Sequence, residues 1–410
     1  MITRLTVQQR VSLTILVAAL GYFVDVFDLL LFSMVRVSSL KSLGLSADQV
    51  TSSGIILQNW QMAGMLLGGI IWGIWGDKKG RISVLLGTIL LYSLGNIANA
   101  FVTTIPAYAA ARFISGLGLA GEIGAGITLA SELLPKNSRG YGSTIIVSCG
   151  VMAPLVAGFV TDNFNWQEAY IIGGVLGLLL LALRFCVNES HMFGDLKKRN
   201  EVVRGHFKML FTNRDRFLRY IMCIGCVLPV WFVIGIIAVF SPEIGRALGI
   251  STPLKAATAV ATYYVGQTFG NIFSGLLSQI FKCRINVILF FIIGSIGAIY
   301  FILLSHGLSA AAFYGLLGLA GFFNGYWGLF MMTTAEQFGT NLRSTATTTA
   351  PNFVRASIII DSSLVTSLKP FFSLITSIEV VGALCFILSL LSLWKLPETF
   401  GRDLDFIEKS

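Results

Sequence analysis

Apolar residues in this chain fall in long unbroken runs, not in the short alternations of a soluble fold, and brief polar clusters separate them. A bilayer core is spanned by about 20 apolar residues in a helix. Twelve runs reach that length: 12–35, 50–76, 82–103, 106–134, 140–161, 167–187, 217–241, 255–281, 285–305, 309–337, 344–367 and 372–396. They predict an all-α membrane protein with twelve transmembrane helices. The first run is too long for a cleavable signal peptide, holds Asp25 and Asp28, and lacks a small-residue cleavage pattern. The polar stretch 188–216, with Lys197-Lys198-Arg199, divides the runs six and six. The expected organisation is an N-terminal six-helix bundle (1–187), a linker loop (188–216), and a C-terminal six-helix bundle with a short tail (217–410). The linker reads as a solvated connection, with lipid binding or regulation by its basic residues as the alternative.

Several polar clusters occur twice. Gly73-Ile-Trp-Gly-Asp77-Lys78-Lys79-Gly80-Arg81 is echoed by Gly275-Leu-Leu-Ser-Gln279-Ile-Phe-Lys282-Cys-Arg284, with glutamine where the first copy has aspartate. Leu117-Gly-Leu-Ala-Gly121 returns as Leu317-Gly-Leu-Ala-Gly321, and Glu132, Asn137 and Arg139 return at the same spacing as Glu336, Asn341 and Arg343. Features repeated in one order predict two pseudo-symmetric halves related as parallel repeats, an architecture of transporters.

Composition agrees with that class: 55% of residues are hydrophobic and 12% charged, against about 25% charged in soluble domains. A net charge of +9 would point to nucleic acid in a soluble protein; here the placement of the charges matters more. With alternating sides assigned to the intervals, 22 of the 29 lysines and arginines fall on one side and five on the other, with Arg112 and Arg355 inside helices. This bias predicts both termini cytoplasmic in a multi-pass protein of the inner (plasma) membrane. The six cysteines lie in or beside apolar runs, and Cys223-Ile-Gly-Cys226 has no second pair, so packing is the expected role. His191, His206 and His306 lack metal-ligand spacing, and no phosphate-cradling loop is present. No enzyme activity, catalytic residue, cofactor, metal or nucleic-acid partner is expected; the partners are the bilayer and a small solute.

Charges inside the apolar runs carry the chemistry, because each is costly there and needs a partner. Asp25 and Asp28 lie three residues apart near the middle of the first helix, where two carboxylates disfavour double ionisation and one can hold a proton. Glu122, in the fourth helix, is a second proton site or the partner of a polar group on the second helix. Arg355, in the eleventh, has no acid on its own face, and a free guanidinium suits a carboxylate ligand; pairing with Asp361, Glu379 or the first helix is the alternative. Gln58, Asn59, Trp60, Trp231, Asn324 and Trp327, with the Tyr263, Gln267, Asn271 stripe at helical spacing, fill out an expected substrate cavity. Gly73, Asp77, Lys79, Gly80, Arg81, Glu132, Arg139, Glu336 and Arg343 form an expected gate, with the glutamates locking onto the neighbouring arginines.

These motifs resemble the major facilitator superfamily over nearly the whole chain. Gly73–Arg81 is similar to its signature turn, and Arg112-Phe-Ile-Ser-Gly116-Leu-Gly118 and Glu132-Leu-Leu-Pro135…Arg139-Gly140 to its fourth helix and exit. Asn188-Glu189-Ser190 and Pro397-Glu398-Thr399-Phe-Gly401-Arg402 resemble the ends of the halves in sugar porters and metabolite:proton symporters, and Asp25-Val-Phe-Asp28 the acidic motif of the aromatic-acid:proton symporters. The resemblance implies a proton-coupled symporter working by alternating access as a monomer, with Arg112 set to pair with Asp28. The expected cargo is a small organic anion, a carboxylate or polycarboxylate: citrate-like, dicarboxylate, aromatic acid or metal chelate. An exporter, a carrier of a betaine-type zwitterion and a transporter-like receptor are the alternatives.

Overall fold

The computed structural model describes residues 7–134, 139–150, 152–184 and 207–408. Asn188–Ser190, Lys197–Arg199, Cys186, His191, His206, Lys136 and Asn137 lie outside them. All regular structure among the described residues is helical. In chain order the helices are α1 (Val7–Ser42), α2 (Ala47–Lys79), α3 (Arg81–Ala100), α4 (Ile105–Leu119), α5 (Glu122–Leu133), α6 (Arg139–Gly150), α7 (Ala153–Asn163) and α8 (Trp166–Arg184). After the linker come α9 (Met209–Thr212), α10 (Arg214–Gly225), α11 (Leu228–Phe232), α12 (Ser241–Ala247), α13 (Ala256–Ile280), α14 (Ile285–Leu304), α15 (Ala310–Phe323), α16 (Trp327–Gln337), α17 (Arg343–Leu368) and α18 (Leu374–Lys395).

Twelve crossings result, because four expected helices are each built from consecutive pieces. The fourth (α4, α5) breaks at Ala120–Gly121 and the tenth (α15, α16) at Asn324–Tyr326, each at or just beyond its Leu-Gly-Leu-Ala-Gly repeat. The fifth (α6, α7) breaks ahead of Pro154. The seventh (α10, α11) breaks ahead of Pro229, then continues as a π-helical turn over Val233–Ala238. Proline lacks the N–H that would continue the ladder, so a new helix starts there. Among the described residues, eight helical stretches are long and apolar enough to cross a membrane by length and composition alone. The tenth crossing is absent from this set because its break leaves pieces of 14 and 11 residues, and the eleventh, α17, is rich in buried polar residues. Large apolar side chains such as Phe159, Leu179, Phe273, Phe290, Ile293 and Leu388 point outward, as lipid-facing residues must.

Packing repeats between the halves. α4 lies along α2, and α15 along α13. A Cβ on Gly116 would meet the Gln61 carbonyl at 2.2 Å, and one on Gly321 the Tyr263 carbonyl at 2.1 Å, so backbones touch at both places. The halves meet where α17 crosses α2 and α5, and where α13 crosses α6. Between α2 and α3, Gly80 adopts φ +103°, a conformation open to glycine, and turns the chain in one residue.

Gly116→Leu should therefore lower thermal stability in detergent by about 1–3 kcal/mol, the usual cost of overpacking. Gly158→Ala, where the new methyl meets open space, should leave the melting midpoint in place. Equal midpoints for both variants would show that α2 and α4 part without cost.

Candidate functional site

A small cavity lies between the halves, lined by Tyr22, Val26, Leu29, Val230, Trp231, Ile234, Tyr263, Tyr264, Gln267, Trp327 and Arg355. Its free volume is about 20 Å³, room for roughly one water. Arg355 is its one lining cation, buried to 1% exposure, with its guanidinium 5.5 Å from the Trp231 ring. Trp231 in turn stands edge-to-face with Trp327 at 6.1 Å. Arg355 is not free: Nη2 lies 3.7 Å from Asp25 Oδ2 across the boundary between the halves, and Nη1 donates to Asn352 Oδ1 at 3.4 Å. The alternative of a helix-1 partner therefore holds. Asp361 is engaged elsewhere, accepting from Ser357 at 3.4 Å and Cys385 at 3.6 Å.

Helical phase sorts the remaining cavity candidates. Tyr263 and Gln267 face the cavity, and Tyr263 donates to the Val230 carbonyl at 3.2 Å. Asn271, next on the same stripe, instead accepts from the Gly328 N–H at 3.0 Å and supports the start of α16. Asn324 accepts from Ser295 at 3.2 Å at the same break. Both are structural, because broken backbone must be satisfied by side chains in a membrane. Gln58 lines a neighbouring cavity with Gln61, Phe32 and Ser33, next to Trp231 and Tyr264. Asn59 and Trp60 turn away from it; Trp60 is 49% exposed, against Phe113 on the outer face. Tyr22, one turn before Asp25, and Tyr264, beside Tyr263, escaped the sequence reading. Their spacing from those residues was the available signal.

The acidic residues also redistribute. Asp28 is fully buried and neither carboxylate oxygen has a hydrogen-bond partner. Arg112 does not form the expected ion pair with it. Its Nη2 donates to Gln61 Oε1, and the guanidinium covers the Phe32 ring at 4.5 Å. Glu122 has a full partner, Arg184, and accepts from Thr88 at 3.2 Å. Arg184 is one of the 22 cations that the sequence places on the basic side. It folds inward because Gly21 on α1 leaves space for the pair, so Glu122 is a brace within the first half.

At the end of the bundle carrying the basic turn, the gate candidates assemble across the halves. Asp77 accepts from the Ser344 and Thr345 N–H groups at 3.1 and 2.8 Å and from the Thr345 hydroxyl at 2.7 Å. A carboxylate from α2 thus caps the N-terminus of α17, where backbone donors and the helix dipole favour negative charge. Glu132 Oε1 is shared by Arg81 at 2.8 Å and Arg343 at 2.9 Å. Arg81 also donates to the Thr340 carbonyl at 3.1 Å. Glu336 binds Arg284 through two bonds, 2.6 and 2.7 Å, which repeats the Arg81–Glu132 pair in the second half. Arg284 was legible only as part of the eroded repeat. Gly73 admits Thr345, whose Cα would lie 2.9 Å from an added Cβ, and Gly275 likewise admits Thr144. Lys79 points outward and takes no part, while the Arg139 side chain lies outside the described residues.

The tail closes over this end. Glu398 accepts from the Arg284 and Ile285 N–H groups at 2.9 and 3.0 Å and from the Cys283 thiol at 3.0 Å. Leu404 and Phe406 offer carbonyls to Arg343 and to the Thr340 N–H at 2.6 and 2.9 Å. Burial pushes the Glu398 carboxyl up, but the bonds from Cys283, Ile285, Phe400 and Arg284 outweigh it and hold the group below its ordinary value of 4.5.

Two outcomes follow from this end of the molecule. Asp77→Asn or Glu132→Gln should weaken the closed arrangement by about 3–5 kcal/mol, the usual cost of breaking a buried pair. Labelling of Thr347→Cys, buried beside Thr128, by a thiol reagent should then rise several-fold; unchanged labelling would remove these contacts as a seal. A depressed carboxyl stabilises above its unfolded pKa and loses that effect as pH falls through the folded one. Wild-type melting should therefore drop more steeply below about pH 4 than that of Glu398→Gln, and parallel curves would dismiss the cap.

The description Major Facilitator Superfamily matches residues 18–360. NiaP of Bacillus subtilis (strain 168), a candidate niacin/nicotinamide transporter, is 27% identical over 408 residues, covering 95% of this chain and 96% of that protein. The cis,cis-muconate transport protein of Acinetobacter baylyi strain ADP1 is 25% identical over 393 residues, 92% of both chains. Among solved structures, the proton:xylose symporter XylE superposes with a TM-score of 0.74 at 18% identity, covering 98% of each chain, a likeness of fold. The chain belongs to the major facilitator superfamily, as a multi-pass membrane transporter of twelve helices and not an enzyme.

Proposed function

We propose that the protein imports a small carboxylate together with protons, by alternating access of the halves 1–187 and 217–410 about the linker 188–216. The carrying observation is Arg355, one cation in a cavity otherwise lined by aromatic and apolar residues and Gln267, at the boundary between the halves. A guanidinium pairs with a carboxylate through two parallel bonds, and tryptophan and tyrosine walls accept a flat apolar body. Of the solutes named for the relatives, niacin is a small, flat aromatic monocarboxylate, nicotinamide its amide and cis,cis-muconate a flat conjugated dicarboxylate. One lining cation favours a monocarboxylate over the citrate-like and chelate cargoes that sequence left open, because a second buried carboxylate would lack a counter-charge.

The polar contacts joining the halves run from the basic end to the level of Arg355. That pattern fits a carrier sealed on one side, with the basic end and both termini in the cytoplasm of a cell bounded by its inner membrane. With room for about one water, the cavity must widen before any carboxylate enters, so substrate binding and helix movement are one event. Asp28, buried without a hydrogen bond, is a proton site within reach of Arg112. The protein is expected to act as a monomer.

A thermal-shift screen of detergent-purified protein against carboxylates, zwitterions and sugars tests the reading, since a specific ligand stabilises the folded state by mass action. A carboxylate should raise the melting midpoint, and Arg355→Lys should weaken that binding about tenfold by losing the bidentate fork. A zwitterion that binds equally well without Arg355 would make the betaine-type carrier the better account. Asp28→Asn should abolish accumulation driven by a pH gradient while counterflow exchange persists; normal driven uptake would remove Asp28 as a coupling site.

A further inference from the structure

We infer that Trp327 and Gln267 form a second polar subsite, which selects a substrate by a substituent that both accepts and donates a hydrogen bond, a hydroxyl in the simplest case. This rests on the reading of Arg355 as carboxylate anchor and adds what recognises the rest of the molecule.

The cavity holds a matched pair of unused hydrogen-bonding atoms. Among the described residues, the Trp327 indole Nε1 and the Gln267 Oε1 have no hydrogen-bond partner, and both side chains line the cavity at 3% and 4% exposure. One is a donor without an acceptor and the other an acceptor without a donor. A buried indole N–H ordinarily finds a partner, and leaving it bare is costly. Tyr263, on the same wall, differs: its hydroxyl already donates to the Val230 carbonyl at 3.2 Å. Tyr22, from the other half, stands beside Trp327 without completing a bond to its indole nitrogen.

Backbone contacts hold the two side chains in place and leave their polar ends open. Asn271 Nδ2 donates to the Gln267 carbonyl at 3.0 Å, and Asn271 Oδ1 accepts at 3.0 Å from the N–H of Gly328, the residue after Trp327. Tyr326, the residue before it, donates to the Cys226 carbonyl at 3.3 Å. One asparagine thus ties α13 to α16, and both helices belong to the second half, so donor and acceptor travel together. The free volume is about 20 Å³, the size of one water, and a hydroxyl oxygen is a group of that size. Its oxygen accepts from Trp327 while its proton goes to Gln267, which satisfies both atoms. A ring nitrogen accepts only and leaves Gln267 Oε1 bare. A second carboxylate brings a charge beyond the one that Arg355 offsets. A bare ring leaves both atoms unpaired.

Benzoate and its ortho, meta and para hydroxy and fluoro derivatives serve as probes. Affinities are read from thermal shifts of the detergent-purified full chain at neutral pH, where a phenol keeps its proton. At least one hydroxybenzoate should bind wild type about tenfold tighter than benzoate, the worth of two neutral hydrogen bonds. The matching fluorobenzoate, similar in size but unable to donate, should show no such gain. In Trp327→Phe and in Gln267→Leu the ratio of that hydroxybenzoate to benzoate should fall toward one, whatever the absolute affinities become. A wild type that prefers no hydroxybenzoate, a fluorobenzoate gain equal to that of the hydroxyl, or a ratio unchanged in both variants overturns the subsite. Benzoate binding undiminished in Arg355→Ala overturns the anchor instead, so the two failures are distinguishable.

Discussion

A charge in a low-dielectric interior must find an opposite charge, and this requirement organises the molecule. Arg81 and Arg343 share Glu132, Arg184 holds Glu122, Arg284 holds Glu336 and Arg355 faces Asp25. Arg112 departs from the pattern among these buried arginines, resting on Gln61 and the Phe32 ring. What each pair does depends on whether its partners share a half. Arg184–Glu122 and Arg284–Glu336 lie within one half and brace it. Arg343–Glu132 and Arg355–Asp25 join the halves, and separating the halves must break them. Desolvation makes a buried pair a poor source of net stability but an effective discriminator between arrangements.

The repeat explains why the seal is lopsided. In the first copy Asp77 reaches across to the N-terminus of α17 and takes three hydrogen bonds. The second copy carries Gln279 at the corresponding place, and its buried amide nitrogen has no hydrogen-bond partner. Glycine is retained in both copies, since Gly73 and Gly275 each let a helix of the other half approach. Close approach is thus symmetric while the charged lock is not.

Most of the fold was legible, because bilayer thickness converts run length directly into crossings. The breaks in four crossings were not, since sequence periodicity does not show where a helix restarts inside an apolar run. The charged groups at the basic end were legible as residue types from the duplicated clusters, while the crossing of Glu132 to Arg343 in the other half was not. The central site was legible as residue types and wrong in pairing. Arg355 finds its partner about 330 positions away in sequence, at Asp25, and helical phase within one segment carries no information on that. The same limit misplaced Asn59, Trp60, Asn271 and Asn324, whose polarity marked the interior of the membrane but not which surface of the helix met the cavity. Arg184 was counted with the basic interval because its position at the end of α8 lets it reach either water or Glu122.

The two levels of cross-boundary contact then bear on each other. Asp77 and Glu132 close one end of the interface between α2 and α17, and Arg355 lies further along α17. Asn352, one turn before Arg355, also donates across the boundary to the Ala120 carbonyl at 2.8 Å, at the break in the fourth crossing. A single helix, with Pro351 inside it, therefore carries the Asp77 cap, the bond to the broken helix and the cavity cation. The cavity and the basic end are thus joined by one helix, and Pro351, which removes a backbone bond between the two levels, marks where that helix can bend.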